Sequence, residues 1–542
     1  HYSKSYYTAH NDSGSCMRGS TMKSWIVFHP RLLAIASSLL AAALVFAQGT
    51  PVNNDAYTYV RVAELFLHDG IGAAFAHYPW ASYSALFAHL ILFGLALFSA
   101  GLVINALFYS LIAAAFVGLV STLTTRWSPQ ERRGALLSAA AVISLYPQLN
   151  EYRTMLLRDV GFWAFTLLAL QQLIGVARAS EASAFWSSAV AFVLSLGAAL
   201  LFRVEALAYL LLSPCLFLVL RDSQGTRRLG DAARLLALIL FAAALAAVMA
   251  ALAGLDLLGL FARFFENYRP FLDSLLSNSG AQRVTLDETI LADHALLFSQ
   301  SESFLLRSAG AVYSLGHAIL AAVSLPIFCA LLALAALRYR TPSPPLGAEQ
   351  DAQTLILGFA LINLLILCGF ALVTRFVSGR YVMLLGLLVA LWLPLLLARW
   401  HAESASGFAR VFFGLFFTYC AVDSFVSFGR DKDYLNEAEA WVSQYGVENP
   451  NTALLSNSRR LAYARDLVED YVLGPSVLAR VAFDVAASGT VIAIEMNAQM
   501  RTRLTELLSN GDAQTMAVFP VGEARNRDAL GEAVRVAVLM KR

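Results

Sequence analysis

The sequence predicts a multi-pass α-helical membrane protein of about eleven transmembrane helices, followed by a small C-terminal extracytoplasmic α/β domain. Three observations predict it. Hydrophobic residues make up 58% of the 542 and charged residues 14%, with a mean hydropathy of +0.62. Soluble domains carry roughly 45–50% apolar and about 25% charged residues. The excess comes in repeated runs of about 18–25 apolar residues, the length that crosses roughly 30 Å of hydrocarbon. From residue 429 onward, short alternating segments replace the long runs. The net charge of +2 says little about partners; where the charges fall matters more, and no nucleic acid is expected as a partner. Cys215, Cys329, Cys368 and Cys420 lie inside apolar runs and Cys16 in the polar start, without metal-ligand spacing. Neither a disulfide framework nor a zinc site is expected.

Residues 1–21 are polar and rich in Ser and Tyr, and Met17 or Met22 is expected to be the true start of the protein, with the residues before it lying upstream. Residues 1–21 are expected to form a disordered tail outside the fold. The transmembrane unit is expected over 22–428. Its spans are placed at 25–47, 102–125, 134–147, 158–177, 184–202, 204–220, 231–256, 310–337, 353–374, 381–398 and 406–428. The first has no small-residue cleavage site and reads as a retained span. The segment 82–99 is apolar enough to be a twelfth. With a cytoplasmic N-terminus and without that twelfth span, Arg126, Arg132, Arg133, Arg178, Arg221, Arg227, Arg228, Arg338, Arg340 and Arg399 all fall in cytoplasmic loops. That is the positive-inside pattern. Counting 82–99 as a span puts those arginines outside, so it is expected to be a helix lying on the outer membrane surface.

Three regions are then expected to face outward: 48–101, 257–309 and 429–542, the last ending at a periplasmic C-terminus. In the last, alternation at Thr452–Ser456, Thr490–Glu495, Met516–Phe519 and Val534–Val538 predicts strands, with helical patterns at 433–446, 458–471 and 499–508. The Ala- and Leu-rich, disulfide-poor composition suits a bacterial plasma (inner) membrane.

Four polar constellations stand at the outward ends of these spans. The first is Asn53-Asn54-Asp55-Ala56-Tyr57-Thr58-Tyr59, just past the first span. If Ala56–Leu67 is helical, Asn54 or Asp55 caps it and Tyr59 lies one turn from Asp55. A carboxylate at that level also sits where a lipid headgroup lies, and can serve as a general base for an acceptor hydroxyl. The second is Tyr146-Pro147-Gln148-Leu149-Asn150-Glu151-Tyr152-Arg153, with Arg158-Asp159 following. Arginines anchor helix ends cheaply, but Arg153, Arg158, Glu151 and Asp159 within nine residues exceed what anchoring needs. Guanidinium forks match phosphate oxygens, so a lipid phosphate is the expected ligand. The third is Arg203-Val204-Glu205, either an intramembrane pair or an outer turn between two spans. The fourth is Arg375 through Arg380-Tyr381, where Gly379 permits close backbone approach and Arg380 opens a helix. Residues of the 257–309 loop, such as Arg263, Glu266, Arg269, Asp287, Glu288, Asp293 and His294, have no fixed spacing.

In their order, these elements resemble the GT-C superfamily of integral-membrane glycosyltransferases, which includes protein mannosyltransferases and lipid A aminoarabinose transferases. The resemblance runs from the acidic first loop at Asn54-Asp55, through Tyr78-Pro79-Trp80 and Tyr152-Arg153 to Arg158-Asp159, and ends at Arg380-Tyr381, covering about residues 25–400. It implies a donor sugar on a polyprenyl phosphate and a catalytic base at Asp55. It also implies donor-phosphate ligands among Arg153, Arg158, Arg203 and Arg380, and substrate contacts from Asn54, Tyr59, Tyr78, Glu151, Asp159 and Tyr381. Many members carry paired acids in the first loop, where this chain has Asn54 before Asp55. A second acid would come from Glu151 or Asp159, and no cofactor is expected, a divalent metal being disfavoured. The expected function is transfer of the sugar to an acceptor hydroxyl or amine on a lipid, glycan or protein at the outer face, with inversion. Membrane lipid is an expected partner. The alternatives are a lipid-linked polysaccharide polymerase or ligase, a lipid or oligosaccharide transporter, and a non-catalytic assembly subunit. The absence of internal repeats counts against a transporter.

Overall fold

In hydrocarbon every backbone N–H and C=O must be satisfied within the chain, so apolar runs fold as helices. The computed structural model describes residues 15–48, 53–220, 228–252, 304–339, 350–374, 377–403, 407–426, 433–465, 487–496, 498–520 and 534–542, with isolated positions at 256, 259, 262 and 269. Helix α1 (Ser15–Gln48) begins seven residues before the expected boundary at 22, so the polar residues 15–21 extend the first helix instead of lying outside it. It is followed by α2 (Asn54–His77), which bends at Gly70, where φ is 85°. Next come α3 (Ala81–Ala88) and a 3-10 turn to Phe93, closed by Gly94 in the left-handed region. The segment expected on the membrane surface is thus a helix over 81–93, too short to cross.

The bundle continues through α4 (Leu97–Leu123), α5 (Pro129–Ser144), α6 (Pro147–Glu151), α7 (Asp159–Arg178), α8 (Ala182–Leu200), α9 (Ala206–Leu216) and α10 (Leu229–Leu252). The start of α5 is written locally: Ser128 and Glu131 form a reciprocal capping box, and Pro129 sits where no N–H is needed. After residue 304 come α11 (Phe304–Val323), α12 (Leu325–Tyr339), α13 (Gln350–Thr374), α14 (Gly379–Ala390), α15 (Trp392–Glu403) and α16 (Gly407–Val426). Buried Trp163, Tyr83, Tyr109, Phe116 and Phe192 fill a core shared by α3, α4, α7 and α8.

The chain is a multi-pass membrane protein. Among the described residues, seven helices are long and apolar enough to cross a membrane, or eight if one bent pair is a single span. The expected count of about eleven is not reached among them. The segment expected at 134–147 is the 16-residue α5, and 204–220 holds the 11-residue α9. The span expected at 310–337 is not straight: α11 and α12 meet at 86°. Ser324 at the break has a φ of 64°, and Pro326, two positions on, lacks the N–H that would continue the ladder. The expected outer loop 257–309, with Arg263, Glu266, Asp287, Glu288, Asp293 and His294, lies almost wholly outside the described residues. So do Arg221, Arg227, Arg340, Arg375 and positions 466–471.

The C-terminal residues form α17 (Asp433–Glu448), β1 (Leu454–Ser456), α18 (Arg459–Tyr463), β2 (Val491–Glu495), α19 (Ala498–Ser509), β3 (Ala513–Phe519) and β4 (Val536–Lys541). The strand order is β1-β2-β4-β3, with β1 parallel to β2 and the other pairings antiparallel. Period-two alternation gives the sheet two apolar faces. Ile492, Ile494, Ala537 and Leu539 pack with Leu504 and Leu507 of α19, while Val491, Ala493, Val536 and Val538 pack with Leu435, Ala438 and Val442 of α17.

Two contacts fix where α2 begins and what lies on it. Asn53 grips the backbone of Leu156 twice, donating from Nδ2 to its carbonyl at 2.9 Å and accepting its N–H at 3.0 Å. The short helix α18 rests on α2: Tyr463 Oη donates to Glu64 at 2.7 Å, and its ring meets those of Tyr57 and Phe98 at 5.5 and 6.0 Å. Asn53→Ala removes both partners of Leu156 and is expected to cost about 1–3 kcal/mol. The expected result is a lowered unfolding midpoint in a detergent thermal-shift measurement, and an unchanged midpoint would show the clamp to be idle.

Candidate functional site

Asp55 is the second residue of α2, and it is not the cap. The capping position belongs to Asn53, in extended conformation (φ −88°, ψ 140°), whose side chain serves Leu156 and makes no cap hydrogen bond. The Asp55 carboxylate is therefore free to face outward from the helix start, where the exposed N–H groups favour an anion. Its two oxygens are divided between guanidiniums. Arg380 Nη1 donates to Oδ2 at 2.5 Å, and Arg459 Nη1 lies 3.6 Å from Oδ1. The side chain keeps 31% of its exposure, so a ligand can reach it. Burial pushes the carboxyl up, but the guanidiniums of Arg380, then Arg459 and Arg158, outweigh burial and hold it below the ordinary Asp value.

Arg380 reaches this position because Gly379 opens α14. A Cβ on Gly379 would stand 2.8 Å from Tyr152 Oη, so a larger residue there requires the tyrosine hydroxyl or the start of the helix to shift. The ring of Tyr381 lies under two guanidiniums, Arg203 at 4.5 Å and Arg380 at 5.2 Å, both attracted by its electron-rich face. Arg203 sits in the turn between α8 and α9 and is ion-paired to both Asp159 and Glu205. The turn reading of Arg203-Val204-Glu205 is the one the structure adopts. Arg158 stacks on Trp80 at 3.9 Å and on Tyr78 at 5.7 Å, and its Nη1 is buried with no hydrogen-bond partner. Tyr59 and Tyr78 pack nearby with tilted rings 6.0 Å apart, and burial holds both phenols above the ordinary value.

The cluster thus sets four guanidiniums (Arg158, Arg203, Arg380, Arg459) against three carboxylates (Asp55, Asp159, Glu205). One positive charge is in excess, and one buried guanidinium nitrogen awaits an acceptor. Such an arrangement suits an anion with several oxygens.

Other expected residues are placed elsewhere. Arg153 is 3% exposed, donates to Asn150 Oδ1 at 2.7 Å and Ser38 Oγ at 3.0 Å, and lies over Tyr109 at 4.4 Å. Its donors are turned into the bundle, so it does not join the phosphate-holding group expected of it. Glu151 accepts from Gln148 at 2.8 Å and lines a separate cleft of about 390 Å³ with His317, Ser324, Tyr419 and Asp423. Of the two acids expected to join Asp55, Asp159 lies in the arginine cluster, ion-paired to Arg203, and Glu151 lies outside it. Asn54 is exposed on the first turn of α2. Arg459 is the residue sequence reasoning missed; it stood unremarked inside a helical pattern 401 positions from its partner Thr58.

Among the described residues no group of three or more His, Cys, Asp or Glu side chains gathers to hold a metal ion. The three carboxylates of the cluster are each engaged by arginine, a donor set that does not fit a divalent cation.

No family model matches the chain, and no curated protein matches it. Solved structures do. The chain is similar to the Archaeoglobus fulgidus oligosaccharyltransferase tethered to an acceptor peptide containing the NVT sequon, with TM-score 0.49 and 13% identity over 92% of this chain and 74% of that one. It is similar to the oligosaccharyltransferase AglB of the same organism in complex with an inhibitory peptide and a dolichol-phosphate, with TM-score 0.43 and 12% identity over 91% and 71%. It is also similar to ArnT from Cupriavidus metallidurans in the apo state, with TM-score 0.37 and 13% identity over 96% and 98%. These are GT-C superfamily membrane glycosyltransferases, the group that the ordered motifs resemble. At these scores the likeness lends no weight to a function, which is drawn below from the site's own residues.

The electrostatics give a direct prediction. In the intact protein the Asp55 carboxyl is expected to titrate below about 3.9, the ordinary Asp value. In Arg380→Ala the largest opposing charge is gone while burial remains, so the midpoint moves up in pH. Carbon-13 NMR of labelled aspartate reads both, and an identical midpoint in the two proteins would contradict the ion pair.

Proposed function

We propose that this chain is a membrane glycosyltransferase that moves a sugar from a polyprenyl-phosphate donor to an acceptor hydroxyl or amine at the outer face of the membrane, with inversion. The observation that carries the reading is the guanidinium cluster around Asp55, with its single excess positive charge and the unpartnered Arg158 Nη1. A phosphodiester linking sugar and lipid carries one negative charge and several acceptor oxygens, which is what such a cluster would neutralise. The location supports a lipid-linked donor: α2 follows directly on the first span, and Arg380 opens the last of the seven span-length helices. What supports the outer face is the arginine distribution of the sequence, which puts the expected cytoplasmic loops at the opposite ends of these helices.

The chemistry asked of the protein is modest, because a polyprenyl phosphate is already a good leaving group. The acceptor oxygen or nitrogen attacks the anomeric carbon, the bond from that carbon to the phosphate oxygen breaks, and its electron pair leaves with the phosphate. The acceptor's proton passes to Asp55. In this reading Arg380 has two tasks that compete. Alone, it neutralises Asp55 and makes it a weak base. When the donor phosphate is present, it turns to the phosphate, and Asp55 loses its strongest opposing charge and gains basicity. Arg158 and Arg203 hold the phosphate or its surroundings, and Tyr381 keeps the two guanidiniums in register. The acceptor, whether lipid, glycan or protein, is approached through the exposed side of Asp55 beside Asn54.

Purified protein incubated with a labelled polyprenyl-phosphate sugar and candidate acceptors tests the reading. The intact chain is expected to form a new glycosidic bond. Asp55→Asn keeps the shape and the position but not the basicity, and is expected to lower the transfer rate by about 10²–10⁴ while the protein remains folded. Transfer by Asp55→Asn near the parent rate would remove Asp55 as the base. Movement of the lipid-linked sugar across a bilayer without bond formation would make the chain a transporter instead.

A further inference from the structure

We propose that the C-terminal α/β unit supplies a residue of the donor site: Arg459, carried on α18, is a second guanidinium for the donor phosphate, an inference that rests on the donor reading above. Arg459 is 23% exposed and lies 3.6 Å from the Asp55 oxygen that Arg380 does not hold. It reaches there from a part of the chain that belongs to a different sheet and core, so the site is built jointly by the bundle and the α/β unit.

Its placement is held from both sides. Arg459 Nη1 donates to Thr58 Oγ1 at 2.5 Å, one turn along α2 from Asp55. One turn further along α18, Tyr463 donates to Glu64 and packs its ring on Tyr57 and Phe98. The neighbouring Arg460 is committed within the α/β unit, to Glu439 and Asn436. Two adjacent arginines thus have separate duties, one securing α18 to α17 and one reaching across to α2.

Asp55 in this arrangement faces two guanidiniums at once, hydrogen-bonded to Arg380 and ion-paired with Arg459 at 3.6 Å, one at each oxygen. The carboxylate occupies the place of an anion between Arg380 and Arg459, and a donor phosphate entering there would take both of its partners. With Arg459 alone removed, the cluster has as many carboxylates as guanidiniums and no longer favours an added negative charge. Donor binding, not acceptor binding, is therefore the step that depends on Arg459. Tyr463 acts only through Arg459 and is a positioning residue.

The test uses the full chain in detergent and measures equilibrium binding of polyprenyl phosphate by the parent, Arg459→Gln, Arg459→Lys and Tyr463→Phe. Gln keeps the reach and hydrogen-bonding of the side chain but not its charge. It is expected to weaken binding about tenfold or more, the value of a charge-assisted hydrogen bond. Lys restores the charge and is expected to bind within about threefold of the parent, a rescue that a purely structural role would not show. Tyr463→Phe is expected to fall between. In transfer assays Arg459→Gln should raise the donor KM and leave the acceptor KM unchanged. Equal binding by the parent and Arg459→Gln overturns this inference and leaves the donor reading standing. Failure of the parent to bind polyprenyl phosphate at all overturns both.

Discussion

The ion pair between Asp55 and Arg380 joins residues 325 positions apart, and the rest of the site is arranged to make it. Two devices bring its members together and a third sets Arg459 beside them. Asn53 fixes the start of α2 against Leu156, Gly379 lets α14 begin against Tyr152, and Tyr463 seats α18 on α2. The pair itself is a poor stabiliser. Its side chains are 27% and 31% exposed, and pairs of that kind contribute about 0–1 kcal/mol at most. A fold seeking stability would fill this place with apolar side chains. What the arrangement offers instead is a carboxylate surrounded by more positive charge than it needs.

Much of the site could be read at the ends of the apolar runs. Asp55, Arg158, Asp159, Arg203 and Arg380 stood out because each put charge where anchoring alone did not call for it, and the structure gathers them. The same reasoning failed for Arg153. It lies only five positions before Arg158, but the backbone between them passes through a 3-10 turn and a non-helical stretch at 155–157. That turns Arg153 inward, to Ser38 and Tyr109, while Arg158 faces Trp80. Arg459 was illegible for a different reason: its role depends on how an α/β unit docks on α2, and no local pattern encodes that contact. The bend between α11 and α12 escaped because hydropathy sums over side chains and is blind to a single left-handed residue at Ser324.

Charge placement also explains why Asp55 need not be a strong base at rest. A carboxylate bound by two arginines stays ionised but holds protons weakly, so by itself it would do little. In the proposed function, competition of a donor phosphate for those arginines would convert it into a base only when the donor is in place. Such coupling would suppress proton transfer before a leaving group is seated, and it requires no motion larger than a turn of two guanidiniums.

The central claim is that the donor phosphate and Asp55 compete for the same arginines. The most direct measurement is the ionisation midpoint of Asp55 in the intact protein, determined with and without saturating polyprenyl phosphate. The midpoint is expected to rise when the lipid phosphate binds, as the guanidiniums leave the carboxylate for the ligand. A midpoint that stays in place while the lipid demonstrably binds would contradict it.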